Sequence, residues 1–204
     1  MEFKLEHFDV TSCKPQHSIF ILGVSESGKT KLIQKIIGAS HVMIYRNSVD
    51  EYKSISNSSI LDDFENFPSV VDYLKQRAEA VHHISWARVV LDDVIEEPDE
   101  IMTEQKYVDR CLRWENTHVA ADVLCNRMGL VLASRFMLIQ RPDLRHMLGY
   151  VFIFADGIRG NRKRLHFAYQ YYLNELISRE VFEAYMENHQ ALVIDHTEGK
   201  VFWC

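Results

Sequence analysis

Residues 18–37 read SIFILGVSESGKTKLIQKII and decide the fold. The apolar run at residues 18–22 is typical of a buried strand, and residues 29–37 have the spacing of an amphipathic helix. Between them, residues 23–30 match the pattern G-x-x-x-x-G-K-[ST]. A strand, this loop and a helix in that order predict a phosphate-binding loop, because inward-turned loop amides and a helix amino terminus both attract phosphate oxygens.

The residues of this loop divide the work of holding a nucleotide. Gly23 and Gly28 let the backbone curl around the phosphates, Lys29 would reach the β- and γ-phosphates, and the Thr30 hydroxyl would bind Mg²⁺. Glu26 is tolerable among phosphates if its side chain points to solvent. The predicted nucleotide-binding residues are Gly23, Val24, Ser25, Glu26, Ser27, Gly28, Lys29 and Thr30.

A second motif completes the predicted site. Residues 87–91 (ARVVL) read as a buried strand, and two carboxylates follow at its carboxyl end, where ligands of open α/β sheets bind. Asp92 is predicted to take the Mg²⁺ contact. Asp93 points the other way along the pleat and would orient or deprotonate a water molecule. Together the two motifs predict an NTPase that uses ATP and Mg²⁺, since the chain lacks the Asn-Lys-x-Asp motif of guanine readers.

The rest of the chain repeats the alternation of strand and helix. This pattern predicts an α/β fold of the P-loop NTPase type, with a mostly parallel central sheet flanked by helices and a C-terminal β-hairpin, in a single domain over residues 1–204 with 1–17 as a lead-in. Residues 47–68 are expected to form a long loop or a short irregular insert. The predicted strands are 18–22, 41–45, 87–91, 129–133, 150–154, 191–195 and, after a turn at 196–199, 200–203; the predicted helices are 29–37, 70–81, 106–125, 164–173 and 179–187.

Composition narrows the class of protein. The net charge of −6 argues against coating nucleic acid by bulk charge, but the charge is uneven. Residues 92–104 carry seven acids and no Lys or Arg, whereas residues 135–164 carry seven bases against two acids. The four cysteines are far apart and are expected to be reduced thiols. No apolar run approaches the roughly 18 residues of a membrane span, and no secretory signal is expected.

Three stretches together make a family resemblance. IFILGVSESGKT, the VVLDD strand end and GLVLASRFMLIQRPDLRHMLGYVFIF resemble the poxvirus-type genome-packaging ATPases of nucleocytoplasmic large DNA viruses, within the FtsK–HerA superfamily of P-loop ATPases. The closing segment ALVIDHTEGKVFWC is similar to the hairpin that ends this family. The resemblance implies a homo-oligomeric ring that translocates double-stranded DNA into a capsid and docks on a capsid protein. It also implies a place in the host cytoplasm at the viral assembly site and in the virion, with no membrane partner.

The resemblance assigns two further catalytic roles. Arg145 falls on the family's arginine, which would act in trans as an arginine finger; Arg141 and Arg135 are alternatives. Where the family has a γ-phosphate-sensing Gln, this chain has Ser134 and Arg135. Either Arg135 or Ser134 takes the sensor role, or Gln140 swings in, or the coupling of hydrolysis to movement is altered.

A basic stretch at residues 159–164 (RGNRKR) is expected to form a loop before a helix. In a ring it could line a pore and contact DNA phosphates without reading sequence; a solvated basic loop is an equal alternative. Two other functions stay open. The stretch could be the lid of a nucleotide or small-molecule kinase, or the chain could be a nucleotide-binding scaffold with little turnover. The candidate DNA contacts are Arg159, Arg162, Lys163 and Arg164.

Overall fold

The computed structural model describes residues 5–14, 17–38, 41–46, 52, 58–61, 87–92, 128–134, 148–173, 177–187 and 191–204. The helices in these ranges are α1 (Lys29–Ile37), α2 (Arg159–Leu173) and α3 (Arg179–Glu187), with a short 3-10 turn at Val10–Ser12. The strands are β1 (Ser18–Leu22), β2 (His41–Arg46), β3 (Ser58–Leu61), β4 (Ala87–Asp92), β5 (Met128–Ser134), β6 (Leu148–Phe154), β7 (Ala191–Asp195) and β8 (Lys200–Trp203).

These strands form one sheet in the order β3-β2-β4-β5-β1-β6-β7-β8. Every pair from β3 to β6 is parallel, and β7 and β8 add an antiparallel edge. The α/β class, the mostly parallel sheet and the C-terminal hairpin are therefore confirmed. Strand β5 lies between β1 and β4. The phosphate loop after β1 and the Asp92 end of β4 are therefore two strands apart at the same edge of the sheet.

One face of the sheet packs against α1. Strand β1 is buried at every position, and Ile19 and Ile21 contribute alternate side chains to this face. α1 presents Leu32, Ile33, Ile36 and Ile37 to it, which fixes the helix axis and with it the loop that precedes the helix. The other described members of this core are Phe8, Cys13, Tyr52, Val90, Val131, Ala133, Tyr150, Phe152 and Val193.

The antiparallel edge carries the other two described helices. α3 packs on β7 and contacts α2, and Tyr169, Phe182 and Met186 are fully buried there. The N-terminal segment follows the outer edge of the sheet: the Phe8 amide donates to the Trp203 carbonyl at 2.7 Å, and the Trp203 amide donates to Glu6 at 3.0 Å. None of the described helices is long and apolar enough to cross a membrane.

The structure corrects two expectations from the sequence, and two further predicted helices lie outside the described residues. Residues 47–68 are not wholly irregular, because Ser58–Leu61 forms β3 and pairs in parallel with β2. The helix predicted at residues 164–173 begins five residues earlier, at Arg159. The helices predicted at residues 70–81 and 106–125 lie outside the described residues.

Candidate nucleotide site

The loop between β1 and α1 has the backbone that a phosphate site needs. Gly28 is the N-cap of α1 with φ 103°, a left-handed conformation that glycine adopts without steric cost. Glu26 also has positive φ, at 62°, and its side chain is exposed, as is that of Val24. No side chain caps α1 by a hydrogen bond to its first amides. The amino end of the helix therefore offers its amides and its dipole to an anion.

Lys29 is bound within its own loop. The side chain is buried, and Nζ donates to the carbonyl oxygens of Gly23 at 2.9 Å and Val24 at 3.1 Å. These charge-assisted bonds offset part of the cost of burying an ammonium group. They hold the positive charge inside the loop, where the phosphates of a nucleotide would lie.

The loop packs tightly against the end of β6. A Cβ atom at Gly23 would lie 2.5 Å from Ser27 Oγ and 2.8 Å from the Cβ of Phe154, which is closer than real contacts allow. At Gly28 a Cβ would lie 3.5 Å from the Phe154 ring. Phe154 thus packs against both glycines of the motif. The sequence pattern predicts only a strand at Phe154, and no motif signals this contact with the loop.

The end of β5 also contacts the loop. The amide of Gly23 donates to the carbonyl oxygen of Ser134 at 3.1 Å, and Ser134 is buried. Of the candidates for the missing sensor, Ser134 is therefore next to the phosphate loop through its backbone. Arg135 and Gln140 lie outside the described residues and stay predictions.

Asp92 meets the phosphate loop across the end of β5. Its carboxylate is completely buried, and Oδ2 accepts a hydrogen bond of 3.2 Å from the Thr30 hydroxyl and one of 2.8 Å from the Tyr52 hydroxyl. The Thr30–Asp92 pair supplies hydroxyl and carboxylate oxygens, which are the hard ligands that Mg²⁺ prefers beside nucleotide phosphates. The residues present therefore fit a magnesium ion. Mg²⁺ usually keeps several waters and binds substrate phosphates, so these would complete its shell. Among the described residues no group of three or more His, Cys, Asp or Glu side chains is placed to hold a metal.

Besides Arg135, two more of the predicted catalytic residues are not described. Asp93 and Arg145 both fall in stretches outside the ranges given above, as does Arg141. Their roles stay predictions. Tyr52, in contrast, lies at the site, although it belongs to the segment predicted as a long loop or irregular insert. A lone Tyr in a polar stretch gives no signal of contact with a carboxylate 40 residues further on.

The basic stretch is helical, not a loop, because α2 begins at Arg159. Arg162 faces inward: its Nη1 donates to the carbonyls of Asp156 at 2.9 Å and Gly157 at 3.2 Å, and its Nη2 pairs with Glu187 on α3 at 3.1 Å. With 8% of its surface exposed, Arg162 joins α2 to α3 and is not available to DNA phosphates. Arg159 and Lys163 are exposed. Arg164 lies within α2, in its second turn.

Burial shifts the pKa of two residues, Arg88 and Cys13, at the opposite end of β4 from Asp92. Arg88, near the start of β4, is buried, and its Nη2 donates to the Cys13 carbonyl at 3.0 Å. Burial lowers the pKa of Arg88 and raises the pKa of the Cys13 thiol to about 12. Both shifts follow from the cost of charge in a low-dielectric core, so this end of β4 is built for packing.

Sequence comparison finds relatives in two large DNA viruses. No family model matches the chain. The chain is 22% identical to the uncharacterised protein L437 of Acanthamoeba polyphaga mimivirus over 99% of its own length and 77% of that protein. It is 24% identical to the uncharacterised protein 015R of Frog virus 3 (isolate Goorha), over 91% of its own length and 58% of that protein.

Solved structures extend the likeness to the whole fold. The DNA-packaging ATPase B204 of Sulfolobus turreted icosahedral virus superposes with a TM-score of 0.60 at 16% identity, covering 93% of this chain and 97% of that one. B204 of Sulfolobus turreted icosahedral virus 2, bound to AMPPCP, gives 0.56 at 13% identity over the same shares. The conjugation coupling protein TcpA of pCW3, bound to ATPγS, gives 0.59 at 10% identity over 92% of this chain and 59% of that one. The fold is that of P-loop ATPases and is shared with viral genome-packaging ATPases, as the sequence resemblance implied. The matches do not single out the poxviral branch.

Proposed function

We propose that this chain is a Mg²⁺-dependent ATPase that moves double-stranded DNA into a viral capsid as one subunit of a homo-oligomeric ring. The observation that carries the proposal is the joining of two distant motifs, in which the Thr30 hydroxyl of the phosphate loop donates to Oδ2 of Asp92. The shared fold with packaging ATPases supports the choice of motor over other P-loop enzymes.

Nucleotide binding would use what the loop already holds in place. The α-, β- and γ-phosphates would lie against the loop amides and the amino end of α1, with the Lys29 ammonium on the β- and γ-phosphates. To reach them Lys29 would exchange its bonds to Gly23 and Val24 for bonds to phosphate. Thr30 and Asp92 would hold Mg²⁺, which when bound neutralises charge on the phosphates.

Hydrolysis would need groups outside the described ranges. Asp93 follows the buried Asp92 directly and would orient or deprotonate the attacking water. Arg145 from a neighbouring subunit would stabilise charge on the γ-phosphate, which is why a ring is part of the proposal. Ser134, Arg135 or Gln140 would report the state of the γ-phosphate; the Ser134 carbonyl accepts from the Gly23 amide, which supports a place for Ser134 next to the loop.

DNA contact is proposed for the exposed bases of α2, without sequence readout. Arg159 and Lys163 are exposed, and Arg164 lies on the same helix; Arg162 is excluded by its burial. The kinase alternative requires a basic lid that can move, and the bonds of the buried Arg162 to Asp156, Gly157 and Glu187 disfavour it. A capsid protein as docking partner, the host assembly site and the virion as location, and residues 1–204 as one ATPase domain complete the proposal.

The test is ATP hydrolysis by the purified protein with and without long double-stranded DNA. The expected result is turnover that requires Mg²⁺, rises with DNA and is abolished in Lys29→Ala. Turnover that ignores DNA would point to the kinase alternative, and nucleotide binding without turnover in either condition would point to a scaffold.

A further inference from the structure

Tyr52 lies between β2 and β3 in the sequence, outside both nucleotide motifs, yet its hydroxyl contacts the carboxylate of Asp92. Its side chain is completely buried, and its hydroxyl donates to Oδ2 at 2.8 Å. The Thr30 hydroxyl donates to the same oxygen at 3.2 Å. One oxygen of the carboxylate is therefore fixed from two directions by residues of two separate segments.

These two hydrogen bonds both satisfy and orient the buried carboxylate. A carboxylate with no exposed surface is costly unless hydrogen bonds satisfy it, and donors to a charged oxygen are the stronger kind. The last torsion of an Asp side chain is intrinsically broad, so the carboxylate plane is set by its hydrogen-bond partners and not by a rotamer preference. With Oδ2 held by Tyr52 and Thr30, the direction of Oδ1 is fixed as well.

We infer that Tyr52 is a positioning residue for magnesium binding: its hydroxyl fixes the plane of the Asp92 carboxylate in the orientation that receives the Mg²⁺–nucleotide complex. The inference rests on the proposed function. It adds a third segment of the chain, the β2–β3 connection, to the phosphate loop and the end of β4. Thr30 can keep donating to Asp92 while its oxygen lone pairs face the metal, whereas the Tyr52 hydroxyl holds the same carboxylate oxygen from outside both nucleotide motifs.

A purely structural role makes a different prediction. Tyr52 belongs to the same core cluster as Ile33, Ile37 and Val90, so its ring also fills space. Tyr52→Phe keeps that ring and removes only the hydroxyl, whereas Tyr52→Leu removes both. If packing were the whole role, Tyr52→Phe would bind magnesium and nucleotide as the unchanged protein does, and only Tyr52→Leu would be affected, through loss of stability.

The experiment measures binding, not turnover. A fluorescent ATP analogue is titrated onto the full chain in EDTA and then at increasing Mg²⁺, and the Mg²⁺ concentration for half-maximal binding is compared between variants. Tyr52→Phe is expected to raise this midpoint about ten-fold, the usual scale of one hydrogen bond to a charged group, and to leave binding in EDTA unchanged. Tyr150→Phe is the matched control, since it removes another buried phenol hydroxyl from the same core but at the far end of the sheet.

A double-mutant cycle tests whether Tyr52 acts through Asp92. In an Asp92→Asn background, adding Tyr52→Phe is expected to change the midpoint no further, because the charged acceptor is already gone. An unchanged midpoint in a folded Tyr52→Phe protein, or an equal effect with and without the Asp92 carboxylate, would overturn the inference. Nucleotide binding by the unchanged protein that ignores Mg²⁺ would overturn the proposed function itself and the inference with it.

Discussion

The amide of Gly23 donates a hydrogen bond of 3.1 Å to the carbonyl oxygen of Ser134, so the first residue of the phosphate loop is attached to the end of the neighbouring strand β5. On its other side Gly23 faces Ser27 and Phe154 with no room for a side chain. The loop is thus fixed between two strand ends, β5 and β6. Its shape depends on contacts that the G-x-x-x-x-G-K-T pattern does not itself contain.

Gly23→Ala is expected to weaken nucleotide binding at least ten-fold while the sheet stays folded. The added methyl group would lie 2.8 Å from the Cβ of Phe154, whose backbone-linked position cannot yield, so the loop must shift away from its phosphate-binding shape. Titration with a fluorescent ATP analogue measures the loss. Gly160→Ala is the control, because nothing lies within 4 Å of a Cβ there and the exposed helix position favours Ala. Equal nucleotide affinity in the Gly23→Ala protein would contradict this account of the loop.

Arg162→Met is expected to lower the free energy of unfolding by about 1–3 kcal/mol, since it leaves buried carbonyl groups without their donor. The carbonyls of Asp156 and Gly157 would lose Nη1, and α2 would lose its bond to Glu187. Urea denaturation measures the change. The adjacent exposed residue gives the matched variant, Lys163→Met, for which stability should change by less than about 0.5 kcal/mol. Equal stabilities for the two variants would show that Arg162 does not join the helices.

Variants at the two exposed bases of α2, Arg159 and Lys163, test DNA binding without disturbing the fold. If α2 contacts DNA phosphates, Lys163→Met should reduce the slope of log affinity against log salt concentration by about 1, in keeping with the loss of one phosphate contact. Fluorescence anisotropy with a long duplex at several salt concentrations measures that slope. Arg159→Met is expected to behave alike, as its side chain is exposed too. A slope unchanged in both variants would move DNA binding away from α2.

Arg88→Met is expected to leave stability unchanged or to raise it. Arg88 is buried, burial lowers its pKa, and the described residues give it one hydrogen bond, to the Cys13 carbonyl. A Met side chain fills a similar volume without an ion to desolvate, and this gain offsets the single donor that the Cys13 carbonyl loses. Arg162 differs, because it donates to two carbonyls and also pairs with Glu187. Arg88→Ala should be destabilised, because it also leaves a cavity. Thermal and urea denaturation of both variants measure the difference. A marked loss of stability in Arg88→Met would show that the hydrogen bonds of the guanidinium stabilise the fold by more than its desolvation destabilises it.

Stability at alkaline pH should depend on Cys13. Its pKa is about 12 in the folded protein, above the ordinary value of 9.0, because burial disfavours the thiolate. Below pH 9 both states hold the proton and the thiol has no effect on pH dependence. From pH 9 to about 12 only the unfolded state releases the proton, so unfolding becomes easier by roughly 1.4 kcal/mol per pH unit from this group. The stability difference between the unchanged protein and Cys13→Ala should therefore shrink as pH rises above 9, as urea denaturation at pH 8 and pH 10 would reveal. A constant difference would contradict the burial of the thiol.

The sequence predicted the parts of this molecule in which side-chain pattern and structure coincide. β1, β7 and β8 are recognisable as apolar runs with turns between them, and the phosphate loop is recognisable because its chemistry requires particular residues at a fixed spacing. β3 escaped prediction because Ser58-Ser59-Ile60-Leu61 has little apolar pattern and is held by backbone pairing with β2. Arg162 was misread for a related reason: its charge suggests solvent, whereas its burial depends on the carbonyls and the Glu187 that the fold brings to it.

Tyr52 and Phe154 show the limit most clearly. Each acts on a motif from a distant part of the chain, Tyr52 on Asp92 and Phe154 on the two loop glycines. Local sequence carries no trace of such contacts, since a Tyr in a polar stretch and a Phe at a strand end have many ordinary explanations. Only the order of strands in the sheet makes these residues neighbours of the site.

The segment from Leu5 to Phe8 also covers part of the outer edge of the sheet. It occupies the outward N–H and C=O of Trp203, and its Leu5 accepts from the Trp203 indole and donates to Tyr185. Exposed strand edges are the usual starting points for unwanted strand addition and aggregation. A foreign strand that approached β8 at Trp203 would first have to displace this segment, so two copies of the chain are less prone to join their sheets at that edge.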